Sequence, residues 1–244
     1  MTGEWYRQLW RASRSFAFVA DLTVAMLGGG LKTRQKITGR MADALSELYL
    51  LSCTLKRYED DGKPANDRHF VELAARNGLY RFQEAMAGTI DNFPVAWVRW
   101  LMRGVVFPLG KTYKPASDRL GSTCVRLAIE PGEVRDRLTR YIFVSKDPKD
   151  PTGLLEFTLE KVVAAEEAEK KLERAIRQGT VRRFHGLDWI GEAVSKSVLT
   201  EAEGGQLREI EALTARVIAV DHFDPAEVKP HYMTSGHNAR AAAE

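Results

Sequence analysis

LKTRQKITGRMADALSELYLLSCTLKRYE, residues 31–59, decides the fold class. Ala44, Leu48, Leu51 and Leu55 recur at the three- and four-residue spacing of one helix face, and Met41, Leu45 and Ser52 widen that stripe. Lys32, Arg34, Lys36 and Arg40 crowd its first half, where cations oppose the helix dipole by roughly 0.3–1 kcal/mol each. That charge fits either a solvated basic face or an anionic partner. On the N-terminal side, Trp5, Leu9, Ala12, Phe16, Val19, Ala20, Met26 and Leu27 mark a first helix over 4–28, with Arg7, Arg11, Arg14 and Asp21 outside its stripe. Gly28-Gly29-Gly30 stops that helix and lacks the spacing of a phosphate loop. On the C-terminal side, Glu59-Asp60-Asp61-Gly62-Lys63-Pro64 is a stop and turn. A third helix follows over 67–91, with Phe70, Leu73, Ala74, Leu79, Phe82 and Met86 apolar and Gly78 and Gly88 open to close neighbours. Three such helices joined by short turns predict an antiparallel bundle over 1–92.

The next stretch, FPVAWVRWLMRGVVFPLGKTYKPASDRLG (93–121), is the most apolar of the chain and is read as a hinge helix followed by a basic turn. Wound from Val95 to Val106, it sets Trp97, Trp100, Leu101, Gly104 and Val105 on one side and Arg99 and Arg103 together on another. Two readings stand: a docking helix whose tryptophans pack on the bundle, or a membrane or partner face with Trp97, Trp100 and Leu101 outward beside Arg99 and Arg103. Its two arginines exclude it as a spanning segment, and no other run reaches the 18 or so apolar residues that crossing requires.

A second, smaller helical half is predicted over 122–228, with a tail over 229–244. It contains a helix over 117–129, a restart at Pro131 that continues from Arg135 to Phe143, and a linker, SKDPKDPTG (145–153). A long charged helix over 154–178 comes next, in which Glu166, Glu167 and Glu169 precede Lys170, Lys171 and Arg174 at helical spacing and read as a solvated face. Gly179 caps it. A short helix carries Trp189 and Ile190, and Thr200 with Glu203 forms a capping box for a last helix striped by Leu207, Ile210, Leu213, Val217 and Ile218. Tyr141 to Val144 is the one β-like run, so the fold class is all-α.

Lys and Arg number 36 and Asp and Glu 33, a net charge of +3 that argues against a nucleic-acid partner. Cys53 and Cys124 are 71 residues apart without metal-ligand spacing and are expected as two buried, reduced thiols. Asp221, His222, Asp224, His231 and His237 form a loose C-terminal group without regular spacing, so no metal is expected. No nucleophile elbow, metalloprotease helix or phosphate loop is present, and Glu47, Glu59 and Glu84 are carboxylates without a motif. From residues alone the chain reads as a helical interaction or assembly domain.

GRMADALSELYLLSCTLKRYEDDG (39–62), NFPVAWVRWLMRGVVFPLG (92–110), PASDRLG (115–121), RDRLTRYIFV (135–144) and IAVDHFDP (218–225) together resemble the C-terminal domain of the bacterial fatty-acid β-oxidation, long-chain acyl-CoA dehydrogenases. The resemblance runs in order from about residue 15 to about residue 228. In outline the chain is also similar to the C-terminal extension of the mitochondrial very-long-chain enzymes, which serves dimerisation and membrane association. The resemblance implies flavoenzymes that use FAD and a glutamate base to convert acyl-CoA to 2-enoyl-CoA. In them the flavin and the base lie upstream of the matching region. The expectation is therefore a part that binds no FAD and is inactive alone, with catalytic and cofactor-binding residues unassigned. Its expected partners are the dehydrogenase catalytic part or a second copy, in the cytoplasm or peripheral to the inner membrane. The alternative is a free-standing helical adaptor or membrane-surface protein, or, more weakly, an acyl-CoA-binding module that meets CoA phosphates at the basic start of the 31–59 helix.

Overall fold

Apolar side chains at helical spacing wind most of the described residues into helices in the computed structural model, which describes residues 2–184 and 186–219. They are α1 (Thr2–Leu27), a 3-10 turn (Gly28–Thr33), α2 (Gln35–Asp60), α3 (Arg68–Asp91), α4 (Ala96–Val106), α5 (Asp118–Ile129), α6 (Glu133–Thr139), α7 (Pro151–Ala164), α8 (Glu166–Arg177), α9 (Trp189–Ser195) and α10 (Glu201–Ile218). No strand occurs among the described residues. The all-α class read from the sequence holds. The contacts divide the chain into two compact units, Met1–Thr139 and Arg140–Glu244, and the 93–121 stretch lies in the first.

In the first unit α2 and α3 form the central pair. A Cβ added at Gly88 would lie 3.0 Å from the Arg40 side chain, and one at Gly78 would lie 3.4 Å from Glu47. Low numbers on α2 thus face high numbers on α3, an antiparallel hairpin in which the two glycines admit α2 side chains. Ala44, Leu48, Leu51 and Leu55 are buried, as the α2 stripe predicts, against Ala75, Leu79, Phe82 and Met86. Val19 of α1 and Val98 and Met102 of α4 close the same core. Burial of each large member contributes roughly 1.5–3 kcal/mol. The buried Thr23 hydroxyl is satisfied within its own helix, donating to the Val19 carbonyl at 2.6 Å. Asp67 accepts two hydrogen bonds from Arg137 at 2.7 and 2.9 Å, which pins α6 to the turn before α3 and raises the guanidinium pKa.

In the second unit Ala168, Leu172 and Ala175 of α8, Ile190 and Ala193 of α9 and Leu207 of α10 form a separate core. Gly204 is buried, and a Cβ there would sit 2.7 Å from Val194, so its missing side chain sets how closely α9 and α10 pack. The predicted capping box is present: Thr200 Oγ1 accepts from the Glu203 N–H, and Glu203 accepts from the Thr200 N–H. Gly179 adopts the left-handed geometry (φ +72°) that ends α8.

Several expectations are corrected. The glycine run does stop α1, but it winds into a 3-10 turn instead of opening α2 directly, so Lys32 and Arg34 precede α2. The helix expected to Phe143 ends at Thr139, and Tyr141, Ile142 and Phe143 are exposed. The 154–178 helix breaks at Ala165, because Glu166, Glu167 and Glu169 supply the acidic first turn of a new helix. The linker runs only to Asp150, which caps α7 by accepting from the Thr152 N–H, with Pro151 in the first turn. In α10 only Leu207 of the predicted stripe is fully buried, and Ile218 is exposed. Cys53 is exposed, whereas Cys124 is buried and its thiol pKa is pushed up by desolvation. Thr2–Thr33 is long and apolar enough by length and composition to cross a membrane, contrary to expectation, because Asp21 alone carries charge between Ser15 and Leu31. Within the unit its Ala12, Val19 and Thr23 are buried in the bundle. The loose C-terminal Asp/His group and the predicted tail lie outside the described residues.

Two outcomes follow from this packing. A Cβ on Gly153 would stand 2.0 Å from the Asp147 carbonyl oxygen, so Gly153→Ala should destabilise the second unit by about 1–3 kcal/mol. Ordinary helix propensity would give the opposite sign, and urea denaturation reads the difference. The Lys171 ammonium and the Thr200 N–H hold the Glu203 carboxyl well below its ordinary 4.5, at about 2. Its stabilisation is complete above pH 4.5 and lost as pH falls through about 2, so the urea midpoint should drop across that window and drop less in Glu203→Gln.

Candidate functional site

The chain reaches α4 through buried Phe93 and exposed Pro94. Val98, Met102 and Val106, at four-residue spacing, turn inward and are buried. The opposite side is exposed: Trp97 at 61%, Trp100 at 71%, Leu101 at 44% and Val105 at 54%. The docking reading of this helix holds only for its other face, since the tryptophans do not pack on the bundle. Both faces of AWVRWLMRGVV are apolar, and the slimmer one fits against α3 and α1. Arg103 ion-pairs with the Asp91 side chain, and Arg99 Nη1 donates to the Asp91 carbonyl at 3.5 Å. The structure thus brings the two arginines together at the end of α3.

Beyond α4 the chain turns at Gly110 (φ +75°) and runs as an irregular connector to Ser117, the cap of α5. Its course is fixed by α3. Gln83 is 1% exposed; its amide nitrogen donates to the Tyr113 carbonyl at 3.1 Å, and its amide oxygen accepts from the Tyr113 N–H at 2.9 Å. Asn77 accepts from the Ala116 N–H at 2.9 Å, and Glu84 pairs with Lys111 at 2.8 Å. An unpaired peptide at this depth would cost about 1–3 kcal/mol per group, so a side chain that reads both backbone groups sets the register of the connector.

That register completes a cavity of about 600 Å³. Trp5, Arg7 and Arg11 of α1 form one wall, Arg76 and Leu79 of α3 the floor, and Tyr113 and Lys114 of the connector the other wall. Glu4 and Gln8 also line it and are hydrogen-bonded to each other at 3.4 Å. Burial raises the Tyr113 hydroxyl pKa, and the nearby Arg11 charge opposes that rise. The sequence pattern places Arg7 and Arg11 outside the apolar stripe of the first helix and Lys114 in a basic turn. Their convergence depends on contacts between residues about a hundred positions apart, although the four-residue spacing of Arg7 and Arg11 was a local signal. The second unit carries a different cavity of about 550 Å³, walled mainly by apolar side chains such as Leu172, Ile176, Trp189 and Ile210.

The three carboxylates without a motif are all engaged. Glu47 accepts twice from Arg81 at 2.5 and 2.9 Å, Glu59 accepts from the Tyr6 hydroxyl at 3.3 Å, and Glu84 pairs with Lys111. The glycine run Gly28-Gly29-Gly30 follows a helix instead of a strand and forms no dinucleotide-binding turn.

Residues 1–223 match the family model described as "Acyl-CoA dehydrogenase, C-terminal, bacterial type". No solved structure matches the chain.

The clamp makes a direct stability prediction. Gln83→Ala leaves the Tyr113 N–H and carbonyl without partners and should cost about 2–4 kcal/mol in urea denaturation. An unchanged midpoint would show that the connector holds its course without Gln83.

Proposed function

The chain belongs to the bacterial-type acyl-CoA dehydrogenase C-terminal domain family, and from that premise we propose that it serves as an assembly part, docking on the catalytic part of the dehydrogenase through the outward face of α4. The observation that carries the reading is the exposure of Trp97, Trp100, Leu101 and Val105 on a helix whose other face is anchored in the bundle. An apolar, tryptophan-bearing patch on a rigid element has the composition of an interface core. In this reading the FAD-dependent removal of the α and β hydrogens of an acyl-CoA takes place on the catalytic part, and the residues of this chain support it from outside the reaction. Glu47, Glu59 and Glu84 keep their structural pairings, and the chain alone turns over no acyl-CoA.

A membrane-surface adaptor would use the same tryptophans. The state of the two arginines favours a protein partner. An interfacial helix presents cations outward to anionic headgroups, whereas Arg99 and Arg103 are both engaged at Asp91. The proposal therefore locates the protein in the cytoplasm, with contact at the inner membrane as the competing outcome.

Mixing the chain with the dehydrogenase catalytic part and following the complex by light scattering tests this. Trp97→Ala/Trp100→Ala should weaken the complex at least about tenfold, as expected of buried aromatic anchors. Because both side chains are exposed, the melting curve of the chain should hardly change. Equal association of both forms would remove α4 as the dock, and tryptophan-dependent sedimentation with anionic liposomes would favour the membrane reading.

A further inference from the structure

The basic cavity between α1, α3 and the connector has no part in the docking proposal and stands on different residues. Several cations of the first unit have an acidic partner close by: Arg57 with Asp61, Arg76 with Glu72, Arg81 with Glu47, Arg103 with Asp91, Lys111 with Glu84 and Arg137 with Asp67. Among the described residues, no hydrogen bond or ion pair engages the side chains of Arg7, Arg11 and Lys114, and all three line one cavity. Two come from successive turns of α1 and the third from a connector that Gln83 holds in register. Like charges gathered in a concavity repel one another, and an anion of matching charge relieves that repulsion. Glu4, the single acid of the lining, balances only part of the set.

The walls carry more than charge. Trp5 and Tyr113 bring aromatic rings to the same cavity, and Leu79 adds an apolar floor. The one buried side-chain polar atom without a hydrogen-bond partner among the described residues is Trp5 Nε1, in this wall. A volume of about 600 Å³ admits a small molecule. Guanidinium groups suit phosphate oxygens, and a planar base stacks on aromatic faces.

We propose that the cavity formed by Trp5, Arg7, Arg11, Tyr113 and Lys114 binds a nucleoside diphosphate or polyphosphate. Arg7, Arg11 and Lys114 take the phosphates, and Trp5 and Tyr113 take the base. The shared chemistry is that of a polyphosphate, which could also arrive without a nucleoside, so the test separates the two sources.

Calorimetric titration of the chain with ADP, pyrophosphate and adenosine at two salt concentrations reads the proposal. ADP should bind, with affinity falling as salt rises. Pyrophosphate should bind about tenfold more weakly for lack of stacking, and adenosine more weakly still. Arg11→Ala and Lys114→Ala should each weaken ADP by about tenfold to a hundredfold, Arg11→Lys should recover part of the loss, and Arg174→Ala in the second unit should leave binding unchanged. Circular dichroism of each variant verifies the fold, and Lys114→Ala with the wild-type ligand series decides the matter should Arg11→Ala not fold. Absence of ADP binding, or ADP affinity equal to wild type in the folded Arg11 and Lys114 variants, would overturn the site. Pyrophosphate binding as tight as ADP would overturn the nucleotide assignment.

Discussion

One buried amide fixes much of the first unit. Gln83 stands among Leu79, Phe82 and Met86 in the core of α3, where a polar side chain is costly unless both of its ends are satisfied. Both ends go to the backbone of Tyr113, thirty residues away. The contact is an exchange of two hydrogen bonds, like one rung of a sheet, made by a side chain for a segment with no regular structure. Its geometry leaves little freedom: a slip of one residue would present the wrong pair of backbone groups and leave Tyr113 unpaired. Asn77 and Glu84, on neighbouring turns of α3, hold the segment on either side of that rung. The end of α4, the position of Lys114 and the cap of α5 are consequences of where that peptide is held.

The same anchoring explains why α4 can present its larger apolar face to solvent. A free amphipathic helix of eleven residues would be marginal in water and would turn its tryptophans toward any apolar surface. Here Phe93 before the helix and the held connector after it limit its rotation, and Val98, Met102 and Val106 fill the narrow space against the bundle. Trp97 and Trp100 lie on the other side of the helix and face outward. An exposed patch of this kind on a rigid element is the common mark of a binding surface.

What the residues reveal before folding depends on how local the deciding contact is. The α2 stripe is legible because Ala44, Leu48, Leu51 and Leu55 repeat at one period, whereas Leu45, expected to widen it, is exposed with Tyr49 and Leu50. The Thr200–Glu203 box is legible because both partners lie within one turn. In α4 the period supports two apolar faces, and the choice between them depends on the space left by α3. The break at Ala165 was hidden because acidic residues fit a helix interior by propensity and a helix start by dipole. The basic cavity was out of reach in principle, since Arg11 and Lys114 meet only through the Gln83 clamp. The family match begins at residue 1, earlier than the resemblance read from about residue 15. It therefore takes in the first turns of α1, where Trp5, Arg7 and Arg11 lie.

The two surfaces of the first unit follow one charge rule with opposite results. Where a cation has an acid within reach on a neighbouring turn or helix, as Arg81 has Glu47 and Arg103 has Asp91, the pair is structural and its charge is largely cancelled. The surface beside it is then free to be apolar, and this describes the outward face of α4. Arg7 and Arg11 of α1 and Lys114 of the connector find no such partner on α3: Glu72 is engaged by Arg76, and Glu84 by Lys111, the other lysine of the connector. The surplus gathers in a concavity those elements share, leaving an apolar face and a cationic hollow within the same unit. Their chemistries are different enough that a single ligand would not satisfy both. If the domain docks by its tryptophans as proposed, its arginine-lined cavity stays available for a second, anionic ligand.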